Sequence, residues 1–202
     1  MIKLKDLLME NEEDQKYLEL VRNNDLKNIN HMVERTANKK GYGIGPVAHV
    51  TNSNIYNKID MSKSNEHGCL GPALYATISG NNWNPGHLRS GRTMYGYVGG
   101  KILDLSKPIT DNDIKVFSDF LGRTVEGVPL ISLERRFGRV STGLLHLGYS
   151  AAIHMGPGNH KLHIAVFDSH MFKLSDSITY DDDKQIIPLS KRFNPLSDDI
   201  RY

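Results

Sequence analysis

The sequence predicts an α+β fold, on three observations. Helical periodicity dominates the chain up to Gly41, and from Pro46 onward short apolar runs are punctuated by Gly, Asn, Ser and Pro. Two later stretches, DNDIKVFSDFLGRT and STGLLHLGY, return to helical spacing among those runs. A chain of 202 residues with 39% hydrophobic content supports one sizeable core and is short for two, so a single domain is expected.

In chain order, Leu4, Leu7 and Leu8 mark a helical stripe, which EDQKYLELVRNN and INHMVERTANKKG continue to a stop near Gly41. PVAHVT, ALYAT, MYGYVGGKILDL and HIAVFD read as strands. In the last of these, Leu162, Ile164 and Val166 fall on one face and His163, Ala165 and Phe167 on the other. Both faces are apolar but for one imidazole. A lone interior histidine is ordinarily a core residue with a hydrogen-bonded ring nitrogen. Ile114, Val116, Phe117, Phe120 and Leu121 have helical spacing, and STGLLHLGY reads as a short helix closed by Gly148. After Asp168 the chain turns polar, with Asp181, Asp182 and Asp183 in a row. Residues 175–202 are therefore expected as an arm over the domain, anchored by Ile186, Ile187, Leu189 and Phe193. The organisation expected is a helical segment at 1–40, a body at 41–174 and the arm at 175–202.

A net charge of +2 is too small a basic excess to argue for nucleic acid or a membrane surface. Cys69 is the only cysteine, which excludes an intramolecular disulfide and fits a reducing compartment. No apolar run reaches a membrane span and no signal-peptide pattern opens the chain, so a soluble protein outside the usual export route is expected.

The nine histidines invite a metal reading, with His154, His160, His163 and His170 close in sequence. Without HExxH, paired CxxC or an i, i+4 histidine pair among them, no metal site is expected. His67 and Cys69 read as a solvated loop, and no motif supports Cys69 as a nucleophile. GYGIG at 41–45 follows a helix and lacks a GK[ST] ending, so it serves as a turn and not a phosphate loop. More informative are PVAHVT and GPALYAT, two strand-like segments that end in a threonine and carry His49 and Tyr75. By physics alone these two are either cleft residues or core residues with satisfied polar tips.

His49-Val50-Thr51 resembles the His-Gly-Thr/Ser strand of ADP-ribosyltransferases, and Leu74-Tyr75-Ala76-Thr77 resembles their second-motif Tyr-x-Thr/Ser. LSKPIT, LLHLGYSAAI and HIAVFDSHMFKL follow in the family's order. The tail IIPLSKRFNPLSDDIRY is similar to the end of ADP-ribosyltransferase-like domains in phage polyvalent proteins. Together these cover most of residues 30–202, making 41–174 the ADP-ribosyltransferase-like domain. The resemblance implies a split pair of small bent sheets, preceded here by the N-terminal helices, with NAD bound between the sheets as substrate.

By the same resemblance, His49 would hydrogen-bond a ribose hydroxyl on the adenosine side, Tyr75 would stack on the nicotinamide, and Val50, Thr51 and Thr77 would line the pocket. The family's catalytic Glu, aligned on Val166-Phe167-Asp168, falls on His163. An imidazole there still accepts a hydrogen bond from a ribose hydroxyl but supplies no negative charge. Val50 also departs from the usual Gly. Glu126 or Glu134 could reach the cleft from a loop, and otherwise both are surface charges.

The function implied is a phage-encoded glycosyltransferase-class enzyme that moves ADP-ribose from NAD to a host protein or nucleic acid. It would act in the host cytoplasm or travel in the virion. Two alternatives stand beside it. One is a catalytically silent relative that binds a nucleotide or protein through the same cleft. The other is a packaged protein docked through its N-terminal helices, for which His49 would not matter.

Overall fold

A computed structural model describes residues 4–51, 57–64, 68, 70–78, 91–105, 111–122, 140–155 and 162–202. Two helices open the chain, α1 (Leu4–Arg22) and α2 (Leu26–Lys39). The Asp25 side chain caps α2 by accepting from the Asn28 amide, and Gly41 at φ +85° ends it. Ile29, Met32, Val33, Thr36 and Ala37 form its buried stripe at the spacing of an amphipathic helix.

The body is built from β1 (Ile44–Thr51), β2 (Leu74–Ile78), β3 (Arg92–Val98), β4 (Ile102–Asp104), α3 (Asp111–Leu121), α4 (Val140–His146), β5 (Ala151–Met155), β6 (Leu162–Val166) and β7 (Phe172–Leu174). The architecture is mixed α and β, as the periodicities indicate. All seven strands join in one sheet of order β4-β5-β6-β2-β1-β3-β7, antiparallel except for β4 against β5. Two separate sheets are thus not seen among the described residues, but the join between β1 and β2 is narrow. Their ladder consists of Val47 opposite Ile78 and Ala48 opposite Thr77, whereas β1 pairs β3 out to Thr51 opposite Arg92. The physical cause of the single sheet is that short ladder, which bridges what would otherwise be two halves.

The alternation expected for β6 holds. Ile164 and Val166 pack with Leu74, Ala76, Val47 and Met94 on one face. Ala165 and Phe167 pack on the other with Ala152, Phe117 of α3 and Leu144 of α4. β5 does not show in the sequence reading. Ala151-Ala152-Ile153 has neither β-branched enrichment nor alternation, because Ala151 and Ala152 are buried on opposite faces.

The C-terminal segment lies across α1, α2 and β7. Ile187, Leu189, Phe193 and Ile200 are each 1% exposed, and Leu189 and Phe193 share a cluster with Tyr17, Ile29, Val33 and Tyr42. Polar ties accompany this packing. Asp14 accepts from the Ser190 amide at 2.9 Å, and the Lys40 amine donates to the carbonyls of Ser190 and Arg192. Buried Arg192 donates to the Leu174 and Asp176 carbonyls at 3.0 and 2.8 Å. Buried Lys173 on β7 donates to the carbonyls of Ser197 and Asp199 at 2.6 and 2.9 Å.

Burial pushes the Lys173 amine down to about 8 from 10.5. Across that window the unfolded chain holds the extra proton, so stability is expected to rise with pH from about 8 to about 10. A neutral amine keeps two N–H donors, enough for both carbonyls. Above pH 10 the sign reverses, because burial raises the phenols of Tyr17, Tyr42 and Tyr97 and the unfolded chain loses those protons first. Urea melts across this range should show a maximum near pH 10. Lys173→Met should flatten the rise below it, and an unchanged rise would exclude Lys173 as its source.

Candidate functional site between neighbouring strands

His49, Tyr75 and His163 stand on β1, β2 and β6, which are consecutive in the sheet. Register decides which face each side chain takes. Tyr75 is opposite Ala165, Thr77 is opposite His163, and His163 is opposite His154 of β5. Tyr75, Ala165, Thr77, His163 and His154 therefore share the face that α3 and α4 cover further along. Alternation along β1 puts Ala48 and Val50 on that face and His49 and Thr51 on the other, in line with Val47. The structure brings Tyr75, Thr77 and His163 together. His49 approaches from the opposite face, through the seam where β1 and β2 part.

At that seam side chains replace the missing ladder. The carbonyl of Tyr75 can only accept, so it takes the proton of His49 Nδ1 at 2.7 Å, and Thr77 donates its hydroxyl to the Ala48 carbonyl at 3.3 Å. With Nδ1 protonated, Nε2 of His49 is an acceptor. Burial, opposed in part by the bond to Tyr75, lowers the pKa of the His49 ring below the ordinary imidazole value and keeps it neutral. The half-buried His49 ring is thus a fixed hydrogen-bond acceptor with one tautomer.

Tyr75 is held at both ends. Its hydroxyl accepts from the Leu70 amide at 2.7 Å and donates to the Gly71 carbonyl at 2.8 Å. The ring lies so close to Gly68 that a methyl group there would stand 2.3 Å from Cε2. This turn accepts only glycine, and it makes the Tyr75 ring a rigid wall. The other motif residues also have defined settings: Thr51 is buried opposite Arg92, and Val50 is opposite Thr93.

The residue that sequence reasoning missed is His154. It is 3% exposed, its ring centroid is 5.7 Å from that of His163, and it meets the Tyr75 ring edge-on at 6.0 Å. His163 itself is 7% exposed. The histidine clustering in sequence was the available signal, but only the β5–β6 register singles out this pair. His170 is exposed and sits beside Asp168. Among the described residues, no three His, Cys, Asp or Glu side chains converge as a metal site, and no helix is long and apolar enough to cross a membrane. His67, Cys69, Glu126, Glu134 and His160 lie outside the described residues.

No family model matches this chain, and no curated protein or solved structure matches it either.

Proposed function

We propose that the chain is an ADP-ribosyltransferase-like protein that binds NAD at the β1–β2 seam and transfers ADP-ribose to a host protein or nucleic acid, and that it is phage-encoded. One observation carries this reading: the three motif residues fall on three consecutive strands, with the His49 ring oriented at the point where the sheet narrows. The narrow seam is what a split sheet would leave, and a dinucleotide laid across it would meet side chains from both faces.

The residues fit the substrate in part. His49 Nε2 suits a ribose hydroxyl, and the Tyr75 ring offers a fixed aromatic wall for nicotinamide. His163 can accept from the hydroxyl of the nicotinamide ribose. In the transfer, the bond from ribose to nicotinamide breaks, nicotinamide leaves with the bonding pair, and the acceptor's nucleophile loses a proton as it bonds to the ribose carbon. On the strands beside Tyr75 and His163 the same-face neighbours are Thr77, Ala165, Ala152 and His154, and His163 itself supplies no negative charge for the developing positive charge. That observation favours a second reading, a silent cleft that binds a nucleotide or a protein without turnover.

Calorimetry with NAD tests the site. His49→Ala and Tyr75→Ala should each weaken binding about fivefold or more, the scale of one hydrogen bond or aromatic contact. Undiminished binding in both variants would sink the assignment. Labelled NAD incubated with host lysate then separates the readings: macromolecular label and released nicotinamide mark a transferase, and binding without either marks the silent cleft.

A further inference from the structure

We propose that the C-terminal arm is a self-association surface, in which Leu196 of one copy of this chain enters a hollow on the arm of a second copy and the exchange is mutual. This surface is independent of the NAD reading. The hollow has a volume of about 540 Å³ and lies where the arm folds back against the end of α2. Phe193, Pro195 and Tyr202 give it apolar walls, and Lys40 and Lys191 also line it. Leu196 follows Pro195 directly and is 91% exposed, more than any other large apolar side chain among the described residues.

A single exposed leucine is ordinary on a protein surface. What distinguishes this one is how firmly its turn is held. Phe193 sits at φ +56°, in the left-handed region that strains a bulky residue, and its buried ring is locked against Tyr42 and Tyr97. Just beyond it, Asn194 Oδ1 accepts from the Leu196 amide at 3.0 Å and the Asn194 carbonyl accepts from the Ser197 amide at 3.2 Å. Buried Lys173 donates to the Ser197 carbonyl at 2.6 Å. The turn is thus fixed on both sides, and its one large apolar side chain is left in water.

A knob beside a hollow makes the patch self-complementary, which is what a two-fold interface requires, since each contact in it is made twice. The charges agree with this pairing. Asp198 is two residues from the knob with its side chain 57% exposed, and Lys191 lines the hollow, so the exchange brings the carboxylate of each copy towards the lysine of the other. Asp198 also pairs with Lys58 of its own chain at 2.6 Å, and a carboxylate with two oxygens can accept from both lysines. Half-exposed Tyr180 belongs to the same corner, because Arg201, next to Tyr202, donates to its carbonyl at 3.3 Å. One leucine per copy is a small anchor beside the roughly 1,600 Å² of a standard stable interface, so the dimer is weak and reversible.

Sedimentation equilibrium of the full chain, from micromolar to millimolar concentration, tests this, with thermal melts confirming that each variant is folded. The wild type should show a reversible monomer–dimer equilibrium. Leu196→Asp should weaken it, and because each contact occurs twice, a loss of about tenfold per contact becomes about a hundredfold in the dissociation constant. Lys191→Glu and Asp198→Lys should each weaken self-association by setting like charges against each other. Mixed together, these two variants should associate about as well as the wild type, since both contacts of the mixed dimer then join opposite charges. A wild type that stays monomeric throughout would overturn the proposal and leave the hollow to some other partner. A dimer indifferent to Leu196→Asp would overturn it too, as would a mixture that associates no better than either charge variant alone.

Discussion

Truncation after Leu174 is expected to leave a chain that no longer folds cooperatively. Removing residues 175–202 strips Ile187, Leu189, Phe193 and Ile200 from the interior, each 1% exposed in the intact protein. At about 1.5–3 kcal/mol per fully buried apolar side chain, the four together contribute about 6–12 kcal/mol before the cost of ordering the arm, comparable with the whole stability of a small domain. The loss is not confined to the arm. Leu189 and Phe193 complete the cluster that holds Tyr17, Ile29 and Tyr42, so α1 and α2 lose the surface against which they pack. Lys173 loses both of its carbonyl partners. Circular dichroism should show reduced helix and no sharp melt. A truncated chain that melts like the intact one but has lost turnover would place the arm in the active site.

The substitution with the largest expected effect on activity is His163→Glu. If the protein is a transferase weakened by the missing carboxylate, a carboxylate at this register faces the charge forming on the ribose, and one such preorganised contact is typically worth about a hundredfold in rate. The new Glu would sit directly opposite His154 on β5. Nicotinamide release, measured in both proteins, reads out the gain. If His163→Glu binds NAD yet stays inert, and the wild type turns over with no host fraction, the silent-cleft reading stands. If the substitution abolishes an activity that the wild type has, His163 takes part in the chemistry in its own right.

The elements legible in the sequence are those whose signal is local. The stripe of α2, the short helix ended by Gly148 and the alternation of β6 depend on residues within a few positions of one another, and the structure has all three. The arm's anchors Ile187, Leu189 and Phe193 were legible for a related reason, since isolated large apolar residues in a polar tail have only the domain surface in which to bury themselves. His49, Tyr75 and His163 were nominated by motif order, and the sheet places their strands side by side.

What the chain alone left undecided is everything that depends on which strand lies next to which. β2 pairs with β6, far along the sequence, and β5 enters between β6 and β4 with a composition that carries no strand signal. That insertion, and not any motif, brings His154 against His163. Buried Lys173 and Arg192 are equally nonlocal, because the carbonyls that make their burial tolerable come from the folded-back arm and its junction with β7. The face taken by His49 follows from the same cause. Strand alternation is written locally, but the side of the sheet it refers to is set by the register of Val47 and Ala48 against Ile78 and Thr77, and that register exists only once the two strands have met.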